Sequence, residues 1–243
     1  MLTAIIVAAG SSKRVGFDKL LAKIAGRAVI QHTLAAFEKA ECIDEIIVVC
    51  REIESIRDFI ASGDFKKVRK LTRGGERRQD SVHVGLNEVA ENSEFVAVHD
   101  AARPLITPSE IERVVAVARE HGAAALAAPV TDTLKFTDTS QVVRGSIDRQ
   151  NVFAMQTPQI FRRQALVEAY EGVAKKALTV TDEVSAIEHA GGKVVIVPAQ
   201  DQNLKITFVR DLLLAEAILK QRAARPEGNR TPLFSKATPQ SKE

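Results

Sequence analysis

Apolar residues cluster along the chain in short runs: TAIIVA at 3–8, EIIVVC at 45–50, FVAVH at 95–99 and KVVIVP at 193–198, with a small-residue version, AAALAAP, at 123–129. Each run is nearly devoid of polar positions, the pattern of strands covered on both faces. Between them the apolar period lengthens to that of a helix. In TPSEIERVVAVAREHG (107–122), Thr107 is placed to cap, Pro108 fits the first helical position and Glu110 closes a capping box. Ile111, Val114, Val115 and Ala118 then share one face, and Gly122 stops the helix. A second helix is expected over 29–40, with Ile30, Leu34 and Phe37 on its buried side, a third from about Asp80 and a last one over 208–222. Strands alternating with helices predict an α/β fold: an open, mostly parallel sheet whose ligand sits beyond the carboxyl ends of the strands.

The stretch 130–161 breaks this rhythm. TLKFTDTSQVVRGSI within it reads as two alternating segments around Asp138, Thr139 and Ser140, a β-hairpin inserted into the α/β run. An isolated hairpin is marginal in water, so an arm that leaves the body predicts a partner subunit to pack against. From 223 to 243, Pro, Gly, Ser and charge mix without periodicity. A disordered tail is expected there, beyond a single domain over 1–222.

Charge alters this picture little. The 243 residues carry a formal net charge of +3, but residues 221–243 alone hold five basic and two acidic side chains, and the remainder is neutral. A broad polyanion face, and with it a nucleic-acid partner, is not expected; cations that matter must be gathered in a site. Cys42 and Cys50 have no His at ligand spacing, which argues against a disulfide framework or a zinc site. No run approaches ~18 apolar residues and no leader pattern precedes the first strand, so a cytoplasmic protein without a membrane span is expected.

Candidate chemistry gathers at strand ends. The segment AIIVAAGSSKRVGFDKL (4–20) breaks from a strand into small residues and then Lys13, Arg14 and Lys19. Backbone N–H groups in such a turn form a nest for anions. The spacing matches neither the dinucleotide fingerprint nor a Walker loop, which leaves an anion loop of another kind or an ordinary solvated turn. RGGERRQDSV (73–82) sets Gly74 and Gly75 before a helix, where glycine lets a flat ligand approach the backbone and Ser81 can bond a base edge. The same residues would also serve as a plain turn and cap, with Arg77 and Arg78 solvated. VAVHDAARP (96–104) ends a buried strand at Asp100, a carboxylate suited to a metal or a ribose hydroxyl, while His99 reads as a packed core residue. Arg149 and Thr157 in DRQNVFAMQTPQ, Thr181 near a helix start and Lys205 in QNLKIT supply further polar groups.

Taken in order, AAG-x-x-x-R, GG-x-x-R-x-x-SV, HD-A-A-R-P, DT-x-K, DR-x-x-x-x-x-x-x-TPQ, TDE-x-S-A and N-x-K-x-T resemble the 2-C-methyl-D-erythritol 4-phosphate cytidylyltransferase family over residues 3–222. That family makes a CDP-linked intermediate of the non-mevalonate isoprenoid pathway. The resemblance implies a Rossmann-like nucleotidyltransferase fold, CTP and a sugar-alcohol phosphate as substrates, Mg²⁺, and a homodimer joined through the hairpin arm. It implies catalytic roles for Arg14, Lys19 and Lys205 around the triphosphate. Ala8, Ala9, Gly10, Gly75, Glu76 and Ser81 would hold the cytidine, with Arg78 supporting that loop. Asp100 and Ala101 would meet the ribose, and Asp100 would also stand nearest the metal. Arg103, Arg149, Thr157 and Thr181 would bind methylerythritol phosphate, and Thr133 would reach the site from the partner subunit's arm. One departure concerns Lys19: family members often carry Pro-Lys-Gln after the first loop, whereas this chain has FDKLL after a shorter one.

The shared motifs leave two other readings open. A related cytidylyltransferase acting on ribitol 5-phosphate would carry most of them, and a catalytically silent CTP-binding protein would keep the fold without turnover. An NAD-dependent enzyme fits less well because the glycine spacing is wrong.

Overall fold

In the computed structural model, residues 1–10 and 18–224 are described, so Lys13, Arg14 and most of the expected tail lie outside the described residues. Chain order begins with β1 (Leu2–Ala8), the short pair β2 (Lys23–Ile24) and β3 (Arg27–Ala28), α1 (Val29–Lys39), β4 (Glu45–Cys50), α2 (Ile53–Ala61) and β5 (Val68–Arg73). It continues through α3 (Arg78–Asn87), β6 (Phe95–Asp100), α4 (Pro108–His121), β7 (Ala123–Pro129), β8 (Leu134–Thr137) and β9 (Val143–Ile147). The last elements are β10 (Phe153–Arg162), α5 (Arg163–Lys175), α6 (Glu183–His189), β11 (Val195–Pro198) and α7 (Val209–Ala224).

Seven strands form one sheet in the order β11-β7-β10-β6-β1-β4-β5. All neighbours run parallel except β10, which is antiparallel to both β6 and β7. Four of the five apolar runs become buried strands, and β4 and β6 have no exposed residue; KVVIVP forms only β11, an edge strand with Val195 and Pro198 exposed. Successive side chains of a strand point to opposite faces. Ile6, Val48 and Ala97 thus pack on one face with Leu34, Phe37 and Ile111, while Ile5, Val49 and Val98 pack on the other with Val82, Leu166 and Tyr170.

Helix α4 forms largely as its sequence predicts. Thr107 accepts the Glu110 N–H at 3.3 Å, Pro108 opens the helix, and Gly122 closes it at φ 85°, a left-handed turn that suits glycine. The expected capping box is only half made. Glu110 reaches instead to the segment after β11, accepting the N–H groups of Gln200 at 2.9 Å and Asp201 at 3.2 Å. Those two amides lie outside the helix, so the carboxylate ties α4 to the segment that leads to Lys205.

The arm is shorter than 130–161. Strands β8 and β9 pair only with each other, and Phe136, Val142 and Val143 are exposed along them. Phe153–Arg162, however, joins the main sheet, so the arm spans 130–152. Proline lacks the N–H that a central strand uses in its ladder; β10 accommodates Pro158 by shifting register between Met155 and Gln159. Strand β5, VRKLTR, pairs only with β4 at the sheet edge, where polar side chains face water.

Candidate active site

Strand β6 delivers the centre of the site. Its last residue, Asp100, has a side chain that is 10% exposed and opens onto a cleft of about 810 Å³, lined by Arg78, Arg103, Thr157, Thr181 and Lys205 among others. These residues come from α3, the turn after β6, β10, the turn before α6 and the segment after β11. The parallel strands set the cleft at their carboxyl ends, where an open α/β sheet presents its ligand groups.

Both Asp100 oxygens are engaged by cations. Arg78 Nε donates to Oδ1 at 2.9 Å and Lys205 Nζ to Oδ2 at 2.6 Å. Burial opposes ionisation of this carboxyl, but the charges of Arg78 and Lys205 outweigh it and hold Asp100 well below the usual carboxylate range. Arg78 turns away from the glycine loop that it was expected to support. Its other nitrogens pair with fully buried Glu183, at 2.7 and 3.0 Å, so burial, which would weaken its charge, is overcome and the guanidinium is held more firmly protonated.

The register shift in β10 aims Thr157 at the end of β6. Its hydroxyl oxygen accepts the Asp100 N–H at 3.1 Å and lies 3.0 Å from His99 Nδ1. The Arg103 carbonyl, 3.4 Å from Nε2, can only accept, so the neutral ring carries its proton on Nε2 and Nδ1 accepts the Thr157 hydroxyl. His99 is the packed core residue that the sequence suggests: fully buried, it has its imidazole pushed down to about 3 by burial. Arg103 donates to the Asn203 carbonyl at 2.7 Å, and its buried Nε has no hydrogen-bond partner.

On the other side of Arg78 lie the residues expected to hold a nucleotide. Ala8 ends β1, and a Cβ built on Gly10 would meet nothing within 4 Å. A Cβ on Gly74 would come within 2.6 Å of both Ala9 Cβ and Ser81 Oγ, and one on Gly75 within 2.5 Å of Asp80 Cβ. Gly74 therefore lets two loops close on each other, and Gly75 lets its own loop fold tightly onto the start of α3. Ser81 is buried and donates to the Arg77 carbonyl at 3.1 Å, so its hydroxyl supports the loop rather than facing outward. Glu76 and Gly75 are exposed. Ala101 is buried with its backbone committed to Val7 and Thr33, so its expected ribose contact has no support in its hydrogen bonds.

Lys19 donates to the Ile206 carbonyl at 2.7 Å, next to Lys205 in sequence, which ties the chain just before β2 to the segment after β11. Thr181 is exposed in the cleft and is not the cap of α6; Asp182 is, accepting the Ser185 N–H at 3.0 Å. Arg149 and Thr133 stand apart from this cleft, exposed on the arm, where Arg149 Nη1 donates to the Thr131 carbonyl at the arm's root.

Four residues of this architecture are missing from the sequence reading. Besides Glu183, Tyr170 donates to Glu183 Oε1 at 3.1 Å; Gln159 accepts the first N–H groups of α6; and Asn203 donates to the Thr157 carbonyl at 2.8 Å. Three of them sit inside the TPQ, TDE and N-x-K motifs, so the signal was in hand and only their roles were not. Tyr170 lies in an ordinary helix pattern that marks nothing.

The chain matches a family model described as 2-C-methyl-D-erythritol 4-phosphate cytidylyltransferase over residues 2–221. A curated protein of that name from Alkaliphilus oremlandii is 39% identical over 225 residues, covering 90% of this chain and 95% of the relative. One from Bacillus licheniformis is 40% identical, covering 89% and 94%. Among solved structures, 4-diphosphocytidyl-2C-methyl-D-erythritol synthase from Anaerococcus prevotii superposes with a TM-score of 0.80 at 30% identity, covering 90% of this chain and 96% of that one. A cytidylyltransferase structure from Thermus thermophilus gives 0.74 at 29%, covering 90% and 100%.

Proposed function

The chain belongs to the 2-C-methyl-D-erythritol 4-phosphate cytidylyltransferase family, and from that premise we propose that its reaction runs in the cleft at the end of β6. The enzyme transfers CMP from CTP to 2-C-methyl-D-erythritol 4-phosphate, giving 4-diphosphocytidyl-2-C-methyl-D-erythritol and pyrophosphate for isoprenoid biosynthesis. The observation that carries the location is the convergence of Arg78 and Lys205 on Asp100 where the sheet ends, with Arg103 lining the same cleft.

A phosphate oxygen of the sugar phosphate attacks the α-phosphorus of CTP; a new P–O bond forms there as the bond to the β-phosphate's bridging oxygen breaks. The attacking phosphate is already anionic near pH 7, so a strong general base is not needed. The cleft agrees: His99 is neutral and enclosed, and Asp100 is held ionised by two cations. Its residues act by alignment and by meeting charge that develops at phosphorus. Lys205, with Lys19 and Arg14, would face the triphosphate. Ala8, Ala9, Gly10, Gly75, Glu76 and Ser81 would form the cytidine shelf, with Asp100 and Ala101 at the ribose. Arg103, Thr157 and Thr181 would bind the sugar phosphate, and Arg149 and Thr133 would reach the partner's cleft from the arm of a homodimer.

Among the described residues no group of three or more acidic, His or Cys side chains is arranged around a metal. Asp100 is a hard carboxylate of the kind Mg²⁺ takes, one or two at a time with substrate phosphates and water; because Arg78 and Lys205 engage its two oxygens, the ion would share an oxygen with one of them or take the place of Lys205. Bound there with CTP, it would neutralise the departing pyrophosphate. We read the enzyme as cytoplasmic on the family resemblance; among the described residues no helix is long and apolar enough to cross a membrane.

Pyrophosphate release with CTP and Mg²⁺ tests this reading, comparing 2-C-methyl-D-erythritol 4-phosphate with ribitol 5-phosphate. Release with the first alone is expected. Release with ribitol 5-phosphate alone would replace the substrate, and CTP binding without release in either case would favour a silent binder.

A further inference from the structure

We infer that Glu183, which does not line the cleft, is a positioning residue that decides how Arg78 approaches Asp100. A guanidinium beside a carboxylate favours two parallel hydrogen bonds. Arg78 makes only one to Asp100, from Nε to Oδ1 at 2.9 Å. Its remaining nitrogens are taken by Glu183, Nη1 to Oε1 at 2.7 Å and Nη2 to Oε2 at 3.0 Å. Glu183 is in turn fixed from behind: Tyr170 donates to Oε1 at 3.1 Å, and the Glu183 backbone N–H donates to Gln159 Oε1 at 3.1 Å. Asp100 Oδ2 is thereby left to Lys205 at 2.6 Å.

The four groups alternate in sign from Glu183 through Arg78 and Asp100 to Lys205, and their charges cancel. Glutamine in place of Glu183 would keep the volume but offer one neutral oxygen where two charged ones stood, and would set amide N–H groups against an arginine donor. Arg78 would then have one carboxylate within reach. It would turn its open edge onto Asp100, cover Oδ2 and displace Lys205. Glu183 thus works through Arg78, and this inference rests on the reading that Asp100 and Lys205 act on the substrates.

The test is Glu183→Gln in the full chain, followed by its crystal structure, urea unfolding and steady-state kinetics. Residues that orient a functional carboxylate from behind typically contribute ~10- to 100-fold. A fall of that order in kcat is expected, with KM for CTP changed by less than about threefold, a split that general loss of structure would not give. The crystal structure should show a second Arg78 bond on Asp100 and Lys205 moved away. Arg78 in its original place, or turnover within about twofold of wild type, overturns the inference. Should Glu183→Gln not fold, Glu183→Asp keeps the charge and carries the test: turnover must follow the Arg78 position, and a large loss with Arg78 in place overturns it. Lys205→Ala separates the two levels. If Lys205→Ala retains turnover, the reading of the site fails, whereas the Arg78 geometry in Glu183→Gln is judged independently.

Discussion

The ammonium of Lys205 lies 2.6 Å from Asp100 Oδ2 although 105 positions separate the two residues. The contact joins the segment after β11 to the end of β6 and sets a cation at the mouth of the cleft. Lys205→Ala is expected to lower kcat by about a hundred- to a thousandfold, the usual effect of removing one group that meets transition-state charge. Arg14→Ala should act alike, on the family resemblance. Cooperative urea unfolding should accompany both, with a lowered midpoint for Lys205→Ala because buried Asp100 loses one of its two cations, and near wild-type turnover in either would remove that residue from the mechanism.

Protonation of His99 links acidity to stability. Burial pushes its imidazole down to about 3 in the folded chain, against about 6.5 when unfolded. Its stabilising contribution is therefore fully present above about pH 6.5 and is lost as pH falls toward 3, at up to ~1.4 kcal/mol per pH unit. Asp100, held low by Arg78 and Lys205 against its burial, adds a second loss only below about pH 3.9. Urea unfolding between about pH 7.5 and 4.5 should fall more steeply for wild type than for His99→Gln, by close to one proton's slope. Equal slopes would mean that the ring takes up a proton in the fold.

Gly74 is where two loops touch, and alanine there would place Cβ 2.6 Å from both Ala9 Cβ and Ser81 Oγ. One loop must give way. Gly74→Ala is expected to destabilise the chain by ~1–3 kcal/mol, as overpacking does, and to raise KM for CTP more than KM for the sugar phosphate. Calorimetry and kinetics read the two effects. A rise confined to the sugar phosphate would move the nucleotide away from this shelf.

Arg149 stands at the arm's root, apart from its own chain's cleft. Through a partner's cleft it would bind phosphate, and a hydrogen bond to a charged group contributes ~1.5–3 kcal/mol. Arg149→Ala should raise KM for the sugar phosphate roughly ten- to a hundredfold with kcat less affected. Dilution that dissociates wild-type dimers should produce the same rise, measurable by assay alongside light scattering. Unchanged KM in both experiments would place Arg149 in arm structure alone.

The buried strands and the best helices were legible because composition and period agree there: EIIVVC and FVAVH admit few alternatives. Asp100 stands out alone because it ends a buried strand, whereas Thr157 and Lys205 draw notice only as members of the ordered motifs; the fold sets all three around one cleft. Strand β10 was hidden by Thr157-Pro158 and by flanking glutamines: Gln159 spends its polar atoms on the start of α6 and on backbone, and Gln156 accepts the Asn203 amide. Glu110 misled for a related reason. Its position suits a capping box, but two amides 90 residues away compete for its carboxylate and win. Local pattern reads local partners, and the residues around Asp100 are held mostly by distant ones.

Because β10 runs against its neighbours, it starts where they stop. The chain thus leaves β7 for the arm and returns to the sheet at the same rim that carries Asp100. The arm is a detour outside the seven-stranded sheet, its two strands paired only with each other, so residues can be added, lost or exchanged in it without changing a pairing within that sheet. Its length and surface can therefore drift at a pace that the interior does not share.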